Sequence, residues 1–351
     1  MKRLTRRRYL GLLAVCAALV VAVLILSPGI GNQSGSIGLF DVWRAFGGRN
    51  DAIPPIEYQI GFRLRLPRTL LALEAGMTLA LCGAVFQTLF RNALATPYTL
   101  GIASGGSLGA LVAVRCGFQF SLWGISTISL SAFAGCLFVI GVVFAMTRGI
   151  RRLTTNELLL AGVTLGMFCS AMMMLVTYLS SARETFEIIR WMMGSLDTIG
   201  NLEWSSSLPL VVPAWIVLIL SARPLNQYAL GEEMATARGV NVVRLQGALI
   251  LFVSLSTAAM VAICGPIGFV GLVVPHVVEL LVGRDSRIVL PMSAMLGGVF
   301  LAVCDWISQL AMVWAGNIGG RQLGAVSLPI GVVTAVIGVP IFLVLLYRRA
   351  G

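Results

Sequence analysis

Residues Ala222–Leu245 read ARPLNQYALGEEMATARGVNVVRL, and they interrupt a chain otherwise dominated by long apolar runs. Trp204–Leu220 comes immediately before this stretch and Gln246–Ile263 follows it. Gly231 has a high helix cost and lets the chain bend, while Gly239 suits the residue just past a helix end. Glu232 and Glu233 complement a helix N-terminus, and Arg238 complements a C-terminus. The spacing predicts two short helices meeting at an angle on the membrane surface. Ordinary connections between elements are shorter and less structured. A helix pair resting on lipid would be longer and carry a more basic polar face. A cytoplasmic protein partner accounts for the stretch better.

Outward from this interval, composition decides the class. The 351 residues are 58% hydrophobic and only 11% charged, with a mean hydropathy of +0.93. Soluble chains carry about 25% charged residues. The chain therefore reads as an all-α polytopic membrane protein. Its net charge of +11 does not describe a nucleic-acid face, because Lys2 is the one lysine and the arginines cluster at the ends of apolar runs. The cysteines (16, 82, 116, 136, 169, 264 and 304) show no C-x-x-C spacing, and all but Cys116 lie inside apolar segments. They read as small buried hydrophobes rather than disulfide or metal ligands.

Met1–Arg8 is followed by the apolar run Tyr9–Leu26, which is longer than a signal-peptide core and has no A-x-A site before Ser27. It is expected to be a retained first span with a cytoplasmic N-terminus. Further spans are expected at Leu64–Phe90, Tyr98–Val114, Leu122–Thr147, Glu157–Leu179, Trp204–Leu220, Gln246–Ile263, Gly271–Val282, Ile288–Val313 and Ile330–Tyr347. The total is about ten transmembrane helices. Gly271–Val282 is too short to cross about 30 Å of hydrocarbon, follows Gly265-Pro266 and contains Pro275, so a broken helix is expected near 265–283. With this topology 16 of the 25 basic residues fall on the cytoplasmic side and both termini are cytoplasmic. On the outside, Ser34–Arg63 is polar with a turn at Pro54-Pro55, and Ser181–Glu203 carries Trp191, with Trp204 just beyond it. TPYTLGIASGGSLGA at 96–110 and GPIGFVGLVVPH at 265–276 place a Gly/Pro-interrupted segment in each half, as in inverted-repeat transporters. Close packing of helices on small residues accounts for the same glycines without transport.

Some chemistry is absent. A phosphate-binding P-loop needs a lysine after its glycine, and Lys2 is not in such a motif. His276 stands alone, without partners for a metal site or a nucleophile elbow; beside Pro275 it is expected to bond carbonyls freed by the broken helix. Glu74 and Asp305 are the carboxylates at membrane depth, with Glu157 and Glu279 near the inner surface. No obvious chain of such groups exists for proton coupling. These residues leave open a permease driven by partner subunits, an ion-coupled secondary carrier and a membrane enzyme built on His276.

Four blocks narrow the choice. They are RLRLPRTLLALEAGMTLALCGAVFQTLFRNALATPYTLGIASGGSLGA at 63–110, RPLNQYALGEEMATARGV at 223–240, GPIGFVGLVVPHVVELLVGRDSR at 265–287 and LPIGVVTAVIGVPIFLVLL at 328–346. Together they resemble the FecCD-type permease subunits of ABC importers for iron–siderophore, haem and cobalamin, the type II importers. The resemblance implies a single permease domain over 1–351, with residues 1–8 a cytoplasmic N-terminus and 223–244 the cytoplasmic coupling helices. It implies an inner-membrane homodimer or paired permeases around one pathway, a cytoplasmic ABC ATPase dimer and a periplasmic or extracellular substrate-binding protein. ATP and Mg would be bound by the ATPase, leaving no cofactor in this chain. An iron–siderophore is the expected cargo, with haem, cobalamin or molybdate as alternatives.

By matching positions, Gly231, Glu232, Ala235, Arg238 and Gly239 are expected at the ATPase. Arg65 and Arg68 are expected on the outer face, where arginine suits bidentate capture of a binding protein's carboxylates. Snorkelling anchors would place arginines there too. Asn92, Leu94, Thr154, Thr155 and Asn156 match the cytoplasmic gate, although small polar residues also cap helices. The chain departs from the family pattern at several places. Ala93 replaces proline in the N-P-L-A block; Glu279 and Gln309 stand where arginines are usual; Ser327 replaces Glu before Leu328-Pro329; and an insertion at Trp314–Val326 contains Arg321. Arg321 is expected to restore, on the periplasmic face, the charge that Gln309 lacks.

Overall fold

A computed structural model describes residues 6–30, 60–118, 121–122, 125–149, 155–197, 202–319 and 327–350. Among these the fold is helical: α1 (Arg6–Leu26), α2 (Leu66–Leu89), α3 (Ile102–Arg115), α4 (Thr127–Gly149), α5 (Thr155–Tyr178), α6 (Ala182–Met192), α7 (Leu202–Leu220), α8 (Ala222–Ala229), α9 (Glu232–Ala237), α10 (Val242–Cys264), α11 (Val270–Val282), α12 (Ser286–Gly319) and α13 (Ile330–Ala350). A minimal antiparallel pairing of Ser121–Leu122 with Ile125–Ser126 precedes α4. Five of the helices are individually long and apolar enough to cross a membrane. The α7–α8 pair, bent by 52°, and four shorter apolar helices bring the apolar segments to the ten expected.

The bundle is built around α2. Almost all of its length is buried, which requires small residues where backbones approach. A Cβ on Gly76 would collide with the Gly297 carbonyl of α12, and one on Gly83 with the Gly271 carbonyl of α11. The carboxylates expected at membrane depth are both buried and bonded within the bundle: Glu74 Oε1 accepts from the Ser207 hydroxyl at 2.6 Å, and Asp305 lies against Arg68. Cys116 is exposed and the other cysteines are buried.

The two interrupted segments meet. Residues 97–100 form a 3-10 turn closed by Gly101 in the left-handed region (φ 75°), and only then does α3 begin. The short α11 begins after Phe269, also left-handed (φ 67°). The Tyr98 hydroxyl donates to the Ile267 carbonyl at 2.8 Å and accepts from the Ile267 N–H at 3.1 Å, so the two breaks satisfy each other's polar groups. Pro275 has no N–H to give the carbonyl four residues before it. Gln87 of α2 supplies that bond, donating to the carbonyls of Gly271 and Leu272 at 3.2 Å. The sequence assigned this kind of role to His276, whose ring packs edge-on to Phe342.

Two boundaries differ from the expected ones. α12 continues to Gly319, so the first part of the insertion is helix rather than loop. The segment after α5, expected on the outside, contains the unexpected amphipathic helix α6. Its start is a capping box in which the Ser181 side chain accepts from the Glu184 N–H and Glu184 bonds back to the Ser181 N–H. The S-x-x-E pattern was visible in the sequence. The polar segment Ser34–Arg63, with its Pro54-Pro55 turn, lies largely outside the described residues.

Candidate functional site

The stretch expected at the cytoplasmic surface is a pair of short helices, Ala222–Ala229 and Glu232–Ala237. Gly231 separates α8 from α9 with φ 135°, which a side chain rarely tolerates, and Gly239 ends α9 with φ 83°. The Val240 N–H reaches the Ala235 carbonyl, closing the helix end. Arg238, Glu232 and Glu233 are exposed, and so are Leu230 and Met234. Ala235 is different. It is 0% exposed, because it faces back toward its own chain, and so it cannot be a surface contact.

Three ties fasten this element to the ends of spans. The Asn226 amide donates to Asp285 at 2.6 Å and its carbonyl accepts from the Ser286 N–H at 2.8 Å, joining α8 to the turn before α12. Gln246 of α10 donates to the Tyr228 hydroxyl at 2.9 Å and to Glu232 at 3.3 Å, while Tyr228 donates to Glu232 at 3.1 Å. Arg91, just beyond α2, donates to the Tyr228 carbonyl at 2.8 Å, and its guanidinium carbon lies 5.0 Å from the centre of the Tyr228 ring.

The loop after Arg91 carries the first gate candidates. The Asn92 side chain accepts from the Leu94 N–H at 2.9 Å, a local turn that holds the backbone even with Ala93 in place of proline. Asn92 therefore presents Leu94, which is 53% exposed. Thr155 and Asn156 lie in the first turn of α5. Thr154 lies outside the described residues.

Of the five helices long and apolar enough to cross a membrane alone, α5 is the least covered. Leu160, Met167, Phe168, Met174 and Tyr178 stand exposed along it. Where it meets the turn at 97–101, Gly162 and Gly166 allow close approach of the backbone, and an open recess of about 470 Å³ is lined by Tyr98, Thr99, Ser170 and Met174. No charged side chain lines it.

The arginine pair expected on the outer face lies at the start of α2, with Arg65 just before it and Arg68 in its first turn. Arg65 is buried. Arg68 is clamped: Nε and Nη2 donate to Asp305 of α12 at 2.9 and 2.7 Å, and Nη1 to Asp197 at 2.5 Å. Gln309, in place of a family arginine, donates to Asp305 at 2.7 Å, and Ser327 reaches Asp197 at 3.4 Å. The sequence placed Arg68 as an open cation; two carboxylates of its own chain hold it. Asp197 carried no signal in the sequence that tied it to Arg68. Arg321 lies outside the described residues.

Comparison with known proteins agrees with this architecture. The model of the FecCD transport family matches residues 18–348. The vitamin B12 import system permease protein BtuC of Salmonella paratyphi A is 37% identical over 292 residues, covering 82% of this chain and 84% of that protein. The protein of the same name from Salmonella typhi matches to the same extent. A solved inward-facing structure described as a metal-chelate type ABC transporter superposes with a TM-score of 0.81 at 30% identity, covering 96% of this chain and 99% of its own.

Proposed function

This chain belongs to the FecCD transport family as an ABC importer permease of the inner membrane, and on that premise we propose that it passes an iron chelate into the cell between two copies of itself. The observation that carries the cargo class is the recess on α5. A bare divalent cation is held by several oxygen, nitrogen or sulfur ligands, and an oxyanion by cationic donors. The lining has hydroxyls and thioethers but no carboxylate, imidazole or thiol for a bare cation, and no cationic donor for an oxyanion. A metal already enclosed in a bulky organic chelator needs only an uncharged, roomy wall, and α5 provides one.

A corrinoid is the second reading, favoured by the 37% identity to permeases named for vitamin B12 import. Such a cargo is also a shielded metal. The two readings separate when the cognate binding protein is purified and its retained ligand identified. Uptake of that ligand into proteoliposomes should require ATP and the partner ATPase, because the sequence of this chain carries no P-loop motif. Uptake driven by an ion gradient without ATPase would overturn the importer reading in favour of a secondary carrier.

The dimer has its own test. Two copies would bring the uncovered α5 faces and the exposed Leu94 side chains toward one twofold axis. Leu94→Cys should crosslink to its counterpart when the inner gate is closed. A monomeric particle with full transport in nanodiscs would exclude the arrangement.

A further inference from the structure

The three ties of the coupling element are not equivalent. Asn226 and Gln246 hold α8 and α9 to elements that carry no gate residue, whereas Arg91 is followed directly by Asn92 and the exposed Leu94. Arg91 also sits at φ 48°, in the left-handed region that costs a residue with a Cβ. Glycine would fit that backbone without strain. The arginine side chain does something that glycine cannot: its guanidinium reaches α8. It bonds the Tyr228 carbonyl and lies over the Tyr228 ring. Tyr228 is itself 1% exposed and is bonded to Glu232 and Gln246, so its position follows that of the helix pair as a body.

We propose that Arg91 is the positioning residue that passes movement of the coupling helices to the gate loop. The proposal rests on the importer reading above. When the ATPase shifts α8 and α9, the Tyr228 carbonyl and ring move together, and the guanidinium carries the start of the loop with them. Asn92 then relays the displacement to Leu94 through its turn. The path consists of Tyr228, Arg91, Asn92 and Leu94, and Arg91 is its only side-chain link across elements among the described residues. Arginine is suited to this because one planar group makes the hydrogen bond and the ring contact at once.

The test uses the complete transporter with its ATPase in proteoliposomes, reading ATP hydrolysis and cargo uptake in the same preparation. Arg91→Gly removes the side chain while leaving a residue that favours the left-handed backbone, so the loop retains its shape. It should assemble with the ATPase and hydrolyse ATP near the wild-type rate, with cargo moved per ATP falling about tenfold. Arg91→Lys, which keeps a cation over the ring, should recover part of the ratio. A structural role alone would lower assembly, hydrolysis and uptake together. Proportional loss of all three, or an unchanged ratio in Arg91→Gly, overturns the proposal. If the wild-type chain assembles with no ATPase at all, the importer reading fails first and takes the proposal with it; a coupled wild type with an insensitive variant defeats the proposal alone.

Discussion

Arg68 and Asp305, 237 residues apart in the chain, form a two-pronged ion pair near the N-terminal end of α2, with Asp305 4% exposed and Arg68 16%. The pair joins the central helix α2 to α12, which packs along it through Gly76 and Gly297. A buried pair adds little over apolar residues of similar size, yet losing one partner strands the other charge. Asp305→Ala should therefore cost about 3–5 kcal/mol, nearer the lower figure because Asp197 still faces Arg68. Arg68→Met with Asp305→Leu should recover most of that loss. Thermal unfolding of the purified chain in one detergent, compared across the two variants and wild type, reads both effects.

Ala235 and Met234 divide α9, proposed to meet the ATPase, into a buried and an exposed face. Met234 is 49% exposed and offers an apolar contact to a partner, while Ala235 is fully buried. Met234→Asp should weaken copurification of the ATPase while leaving the melting temperature of the isolated chain within about 2 °C, since surface changes rarely exceed 0.5 kcal/mol. Ala235→Trp should lower the melting temperature itself, because no space exists beneath it. The reverse pattern would show that this surface is not the contact.

What the sequence revealed and what it hid divides along contact distance. The spans, the helix pair at 222–239 and the breaks at 96–101 and 265–269 follow from local pattern: apolar length, Gly and Pro. These features depend on neighbours in the chain. The pairings of Tyr98 with Ile267, Gln87 with Gly271, Arg91 with Tyr228 and Arg68 with Asp197 depend on which helices touch. Single residues carry no mark of that. Gln309 illustrates the difference: its departure from the family pattern was plain, but its bond to Asp305 emerges only from the folded helix. α6 could have been read from Ser181 and Glu184, since a capping box is local.

Glu184 makes α6 sensitive to acid. Its bonds to the Ser181 N–H and hydroxyl, with Arg115 nearby, hold its carboxyl below the usual glutamate range. A carboxylate with a lowered folded pKa stabilises the helix above its unfolded pKa and ceases to do so as pH falls through the folded value. Hydrogen exchange of α6 should therefore quicken as pH is lowered below about 4.5, after correction for intrinsic rates. Glu184→Gln should flatten this dependence and fray the first turn at neutral pH. An α6 equally protected at pH 3 and pH 7 would remove the cap from consideration.

Asp197 stands between Arg68 and solvent. Of the two carboxylates on that guanidinium, Asp305 is buried and fixes its orientation, whereas Asp197 is 48% exposed and lies on the segment after α6. A binding protein that docks through its own carboxylates would have to displace Asp197 or share Nη1 with it. Asp197→Asn removes the competing charge and leaves the Asp305 anchor in place. It should tighten docking by about threefold to tenfold, the range expected for an exposed charge worth up to about 1 kcal/mol with some further gain from the less screened site. Arg68→Gln should weaken docking instead. Both effects should shrink between low and high salt, because an exposed pair is screened over about 10 Å at 0.1 M. Affinity of the binding protein for the reconstituted transporter, titrated over a salt series for each variant, decides the matter. If Asp197→Asn binds more weakly at every salt concentration, Asp197 supports the docking surface rather than competing for it.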